Sequence, residues 1–187
     1  PITEMATILA DPGRMIGLHF FNPADRMPLL EIICAKETSN QTLATSVAFA
    51  RAIKKIPIVV NDGPGFYVSR QLGGLFGGAV FLSANGVDGG LLEEAMIDFG
   101  MPMGPATLAD LTGIDINYHV NKTFEKRLGE RYKVHPLTEV IYNTGCYGRK
   151  TGTGYFDYSG EKPVPNKTVV EAVQAFLNEK GVVPKKM

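Results

Sequence analysis

The sequence predicts a short α/β segment followed by an all-helical region. Three observations carry that expectation. Apolar runs of strand length at residues 15–21, 28–35 and 56–60 are confined to the first third of the chain. Between the second and third of them, Leu43, Val47, Ala50 and Ile53 recur at helical spacing. From Gly65 onward the apolar pattern turns helical.

Residues 2–9 read as a helix, followed by the turn Asp11-Pro12-Gly13. The run 15–21 (MIGLHFF) is a strand stopped by Asn22-Pro23, and 28–35 (PLLEIICA) is a second. Ser39 or Asn40 caps a helix reaching Lys55, with cations at the C-terminal end where the macrodipole favours them. Residues 56–60 (IPIVV) form the third strand. Near-continuous apolar strands joined through a helix predict a covered sheet. Asn61-Asp62-Gly63-Pro64 marks the boundary. Helices follow at 66–84, 91–99, 105–112, 114–128 and 137–143. Residues 148–154 read as a basic Gly-rich loop, 155–158 as an aromatic run and 159–166, with Pro163 and Pro165, as a linker. Residues 168–180 form a last amphipathic helix, apolar at Val169, Val173, Phe176 and Leu177. The expected division is therefore 1–61, 62–158 and 159–187.

Composition narrows the function. Nineteen basic and nineteen acidic side chains give zero net charge, without the basic excess of a nucleic-acid binder. Cys34 and Cys146 form neither a disulfide framework nor a metal motif, which fits a reducing compartment. The longest uncharged run, 71–87, falls short of the ~20 residues of a membrane span and carries four glycines. No secretory leader is expected, and a cytoplasmic protein without a membrane span is the resulting expectation.

His19 and Glu31 are the most informative pair. Each sits inside an apolar strand run, where an ionisable group is costly unless paired. Adjacent strands joined by a short turn can lay the two side chains together, and a carboxylate beside an imidazole fixes its tautomer and favours its protonated form. That arrangement makes a general base for a hydroxyl proton. A buried structural His–Glu bond, or a Glu31–Arg26 pair, satisfies the same pattern. His119 and His135 read as surface groups, and nothing local activates Cys146. No G-x-G-x-x-G, P-loop or H-E-x-x-H occurs. The loop 148–154 has cations and backbone donors enough for a phosphate, and reads equally as a solvated turn. Gly73, Gly74, Gly77 and Gly78 weaken their helix, so close approach of another helix, within the chain or across a dimer, is the expected compensation.

The run Gly17-Leu18-His19-Phe20-Phe21-Asn22-Pro23 with Glu31 resembles the L-3-hydroxyacyl-CoA dehydrogenase family. So do Asp62-Gly63-Pro64-Gly65-Phe66, Pro102-Met103-Gly104-Pro105 with Leu108-Ala109-Asp110, and residues 148–156 (GRKTGTGYF). The resemblance looks closest to the dehydrogenase part of the multifunctional fatty-acid β-oxidation subunit. It implies the end of a Rossmann domain followed by a helical domain like the C-terminal one of 6-phosphogluconate dehydrogenase. It implies NAD as cofactor and an acyl-CoA substrate, oxidised at its 3-hydroxyl. By position it implies His19 as base, Glu31 as its orienting partner, Asn22 and Lys150 as cofactor contacts, and Ser69 at a substrate contact where many members carry Asn. Partners implied are a second copy or a β-oxidation complex with a thiolase. The family's glycine fingerprint and a catalytic serine would precede Pro1, so the resemblance implies a fragment, inactive by itself. The competing readings are a non-catalytic helical dimerisation or packing module and a Cys146-based transferase or hydrolase.

Overall fold

The computed structural model describes residues 1–185. Two compact units divide the chain, Pro1–Arg70 and Gln71 onward. In the first, α1 (Ile2–Ala6) precedes β1 (Ile16–Phe20), β2 (Leu29–Cys34), α2 (Asn40–Ala52) and β3 (Ile56–Asn61). The sheet order is β1-β2-β3, with β1 antiparallel and β3 parallel to β2. Antiparallel neighbours accept a short connection, while the parallel pair needs the α2 crossover. The Lys55 ammonium pins the β1–β2 connection by donating to the carbonyls of Ala24 (2.5 Å) and Met27 (2.7 Å).

Alternation along β2 sorts its side chains onto two faces. Leu30 and Ile32 pack with Ala50, Leu43 and Val47 of α2. Ile33 and Ala35 face Ile2 and Ala6 of α1, together with Phe66. Gly17 lets α1 approach, because a Cβ there would stand 2.8 Å from the Ile2 side chain. Only the central strand is covered as expected. Ile56 (62% exposed) and Val59 (52%) of β3, an edge strand of the sheet, are open. The first helix stops at Ala6, where the Thr7 hydroxyl donates to the Glu4 carbonyl, short of the predicted residue 9.

The second unit holds most of α3 (Val68–Ala84), then α4 (Gly89–Asp98), α5 (Pro105–Thr112), α6 (Ile114–Leu128) and α7 (Pro136–Tyr142). A two-residue hairpin, β4 (Phe156–Asp157) with β5 (Val164–Pro165), leads to α8 (Lys167–Glu179). Ile114, Leu137, Ile141, Val169, Phe176 and Leu177 form one core, so α8 is built into this unit. The stretch 159–166 is accordingly no free linker: it turns the hairpin, and Asn166 donates from its amide to the Gly154 carbonyl and caps α8. The last two residues of the predicted terminal segment lie outside the described residues. Helix α4 starts two residues before the predicted position because Asp88 caps it by accepting from Gly90 and Leu91. His135 is half-buried rather than a surface group, its Nδ1 capping α7 at Leu137, and burial pushes its pKa down.

Two buried carboxylates organise this unit. Glu93 of α4 accepts from the Ala106 and Thr107 backbone and the Thr107 hydroxyl, closing the start of α5. Asp110, 1% exposed, accepts from the N–H groups of Tyr155 (2.8 Å) and Phe156 (2.9 Å) and from the Tyr158 hydroxyl (2.9 Å). The glycines of the 148–154 loop give that carboxylate room. A Cβ on Gly148 would meet the Asp110 backbone, and one on Gly154 would run into the Asp110 carboxylate. The helix glycines behave differently from expectation. A Cβ on Gly73 would stand 3.4 Å from the ring of Phe124, an ordinary contact, but one on Gly74, Gly77 or Gly78 would meet open space. No helix among the described residues is long and apolar enough to cross a membrane.

Replacing Gly154 by Ala is expected to cost about 3 kcal/mol through overpacking against Asp110. Urea unfolding of the chain followed through the tyrosines checks this, and an unchanged midpoint would refute the close-packing argument.

Candidate active site

β1 and β2 pair in a register that sets His19 directly opposite Glu31. Directly opposed residues share one face of a sheet, at contact distance for their side chains. His19 Nδ1 lies 2.6 Å from Glu31 Oε2. Glu31 is fully buried, whereas the imidazole keeps 34% of its side chain exposed. The alternative Glu31–Arg26 pair does not form, and Arg26 lies at the surface beside Asp25.

The other carboxylate oxygen explains how a buried acid is tolerated. Glu31 Oε1 accepts from the backbone N–H groups of Tyr67 and Val68, both at 2.9 Å. These are orphan donors at the start of α3, which a carboxylate satisfies while complementing the positive end of the helix. With Oε1 so engaged, Oε2 remains to accept from the ring, and an ionised carboxylate has no proton to give. Nδ1 therefore carries the hydrogen, which leaves Nε2 as the basic nitrogen. Among the described residues Nε2 has no hydrogen-bond partner.

The turn before α3 aims those two donors. Gly65 (φ 72°) and Phe66 (φ 48°) are consecutive left-handed residues. For Phe66 such a backbone costs about 1–3 kcal/mol. It also explains why α3 begins at Val68 rather than at the predicted residue 66. The Phe66 ring centroid lies 5.7 Å from the imidazole and that of Phe21 4.6 Å, so two aromatic rings neighbour His19.

The remaining expected site residues are more scattered. Ser69 lies half-buried in the first turn of α3, directly after the Val68 that bonds Glu31, and its hydroxyl has no partner among the described residues. Asn22 is exposed, three positions beyond His19, and its amide is likewise without a partner among them. Lys150 sits in the second unit, 2.6 Å from the Asp115 carboxylate. Burial pushes the Asp115 carboxyl up, but the Lys150 ammonium and the Ile116 backbone outweigh it and hold the group below its usual range. Cys146 packs beside the helical core with Sγ 3.8 Å from the Thr144 carbonyl and, among the described residues, without a hydrogen bond to any base. No cluster of three or more His, Cys, Asp or Glu among the described residues could hold a metal ion. A separate cavity of about 370 Å³ in the second unit, among Phe76, Val80, Ile114, Ile141 and Leu177, includes neither member of the dyad. Sequence reasoning missed Phe21, Phe66 and the two N–H donors. The Gly65-Phe66 step just before a helix was the available signal.

Comparisons with known proteins identify the family. Residues 1–63 match the family model described as 3-hydroxyacyl-CoA dehydrogenase, NAD binding domain, and residues 65–158 match that family's C-terminal domain. The chain is 40% identical over 189 aligned positions to the fatty acid oxidation complex subunit alpha of Shewanella sp. (strain MR-4), covering 100% of this chain and 27% of that protein. It thus spans about a quarter of the length of the curated relatives it matches. Among solved structures, (S)-3-hydroxybutyryl-CoA dehydrogenase PaaH1 from Ralstonia eutropha superposes with a TM-score of 0.80 at 33% identity, over 85% of this chain and 57% of that one. The dehydrogenase part of multifunctional enzyme 1 from C. elegans gives 0.61 at 25% identity, over 100% and 41%.

The hydrogen bonds around Glu31 separate its two roles. Glu31→Ala strands three donors and is expected to cost about 3 kcal/mol. Glu31→Gln keeps an oxygen for Tyr67 and Val68 within about 1 kcal/mol, but its amide donates to Nδ1 and moves the ring hydrogen to Nε2. ¹⁵N NMR of the imidazole reads the tautomer, and an unmoved hydrogen in Glu31→Gln would refute the assignment.

Proposed function

The chain belongs to the 3-hydroxyacyl-CoA dehydrogenase family, and from that membership we propose that it forms the catalytic-base portion of an NAD-dependent oxidoreductase converting L-3-hydroxyacyl-CoA to 3-ketoacyl-CoA in fatty-acid β-oxidation. The observation that carries the proposal is the half-exposed imidazole held by a buried carboxylate at 2.6 Å, with Nε2 left free.

The donor chemistry of the site fits such a cofactor. The Asn22 amide, exposed and without a partner among the described residues, has both donor and acceptor capacity for a nicotinamide amide. Lys150 would meet a cofactor phosphate only by exchanging its Asp115 partner. NAD, when bound, supplies the acceptor for the hydride leaving C3. His19 Nε2 takes the proton of the 3-hydroxyl, and the O–H electron pair becomes the second bond of the ketone. Glu31 stabilises the resulting imidazolium through the existing Nδ1–H bond, without moving. The α3 N–H donors hold the carboxylate, so proton transfer requires little rearrangement of the site. Ser69, opening α3, can donate one hydrogen bond to substrate where an amide could offer two.

We read the assembly as a second copy or a larger β-oxidation complex with a thiolase. The relatives named as complex subunits support it, as does the open face of Gly74, Gly77 and Gly78 with exposed Phe81 and Leu82 nearby in sequence. A cytoplasmic location follows from the same reading, supported by bacterial relatives and by two free cysteines.

In the full-length protein, His19→Gln is expected to lower kcat for 3-hydroxyacyl-CoA oxidation by about 10²–10⁴-fold, the usual worth of a positioned base. Turnover within tenfold of the parent would overturn the assignment.

A further inference from the structure

We propose that Phe66 is a positioning residue for the His19–Glu31 pair, acting on both members at once. The inference rests on the dehydrogenase reading above and adds a residue whose role that reading does not require. Its backbone and its ring act on different partners. The left-handed step at Phe66 (φ 48°), following Gly65 (φ 72°), turns the next two N–H groups toward Glu31 Oε1. The ring on the same residue lies 5.7 Å from the imidazole centroid, tilted by 55°. Phe21 approaches at 4.6 Å with a 45° tilt, so the imidazole has two aromatic neighbours.

A glycine at this position would make the same turn without steric cost. The chain instead places there a residue that finds left-handed backbone unfavourable. What the phenylalanine adds is its ring, which also packs on Ile2, Ala6, Ile33 and Ala35. The hydrogen bond to Glu31 fixes one nitrogen of His19 but allows the ring to rotate about that bond. Two tilted aromatic rings in contact range restrict that freedom, so Nε2 is aimed at a defined point. Displacement of a catalytic group by about 1 Å is enough to lower turnover about 10²-fold. Filling the α1 core is the competing role for the same ring, and the two roles predict different results.

The test compares Phe66→Leu, Phe66→Tyr and Ile2→Ala. Ile2→Ala thins the same apolar cluster at a residue that does not flank the imidazole. Kinetics are measured on the full-length protein with 3-hydroxyacyl-CoA and NAD, and the His19 Nδ1–H proton is followed by NMR of this chain. Phe66→Leu is expected to lower kcat by about 10–100-fold, to leave KM within about threefold and to lose the Nδ1–H resonance to exchange. Phe66→Tyr restores both, and Ile2→Ala lowers the melting temperature without touching either. Unchanged kcat and Nδ1–H in Phe66→Leu, or an equal kcat loss in Ile2→Ala, would overturn the proposal. If Phe66→Leu does not fold, Phe66→Met carries the same comparison. His19→Gln in the same assays keeps the two failures apart. Its retained turnover sinks the dehydrogenase reading, whereas a lost His19 resonance in Phe66→Leu still supports the positioning role.

Discussion

One fully buried carboxylate, Glu31, sets most of what is specific about the first unit. Removing such a charge from water costs several kcal/mol unless donors replace the lost hydration. Three do so: two backbone N–H groups at the head of α3 and the imidazole opposite in the sheet. The carboxylate thus ties a strand, a helix start and an imidazole together. Because Oε1 is taken up by the helix, Oε2 is the oxygen that meets the ring, and as an ionised carboxylate it accepts from Nδ1–H and leaves Nε2 facing outward from that bond.

The second unit uses the same chemistry for a purely structural end. Glu93 closes the start of α5, and Asp110 collects the amides of Tyr155 and Phe156 and the Tyr158 hydroxyl. Burial pushes the Asp110 carboxyl up, against the pull of those donors. The loop 148–154 wraps this acid, and its glycines at 148 and 154 are there because a Cβ would collide with it. Its two cations are occupied as well, Lys150 by Asp115 and Arg149 over the Tyr158 ring at 5.2 Å.

The regular elements were largely legible. Strands β1, β2 and β3 and helices α2 to α8 lie close to where apolar spacing and breaker residues put them, because those signals are local. Departures have identifiable causes. The start of α3 moved with two left-handed residues, that of α4 with an aspartate cap, and the hairpin of β4 and β5 replaced a linker through pairing of two-residue strands too short for any periodicity.

His19 and Glu31 stood out in the sequence by themselves, since an ionisable residue inside an apolar strand advertises a partner. That they are partners to each other is a matter of register, and a slip of one residue would have turned one of them to the opposite face. The donors from Tyr67 and Val68 lie 36 and 37 positions from Glu31, and Asp110 meets its amides 45 and 46 positions away. Backbone N–H groups are the same in every residue but proline, so no side-chain pattern announces which of them a buried acid will find. Local periodicity determined the elements and the candidate base; only the packed chain decided what holds the acid, which nitrogen is free, and that a phenylalanine stands beside it.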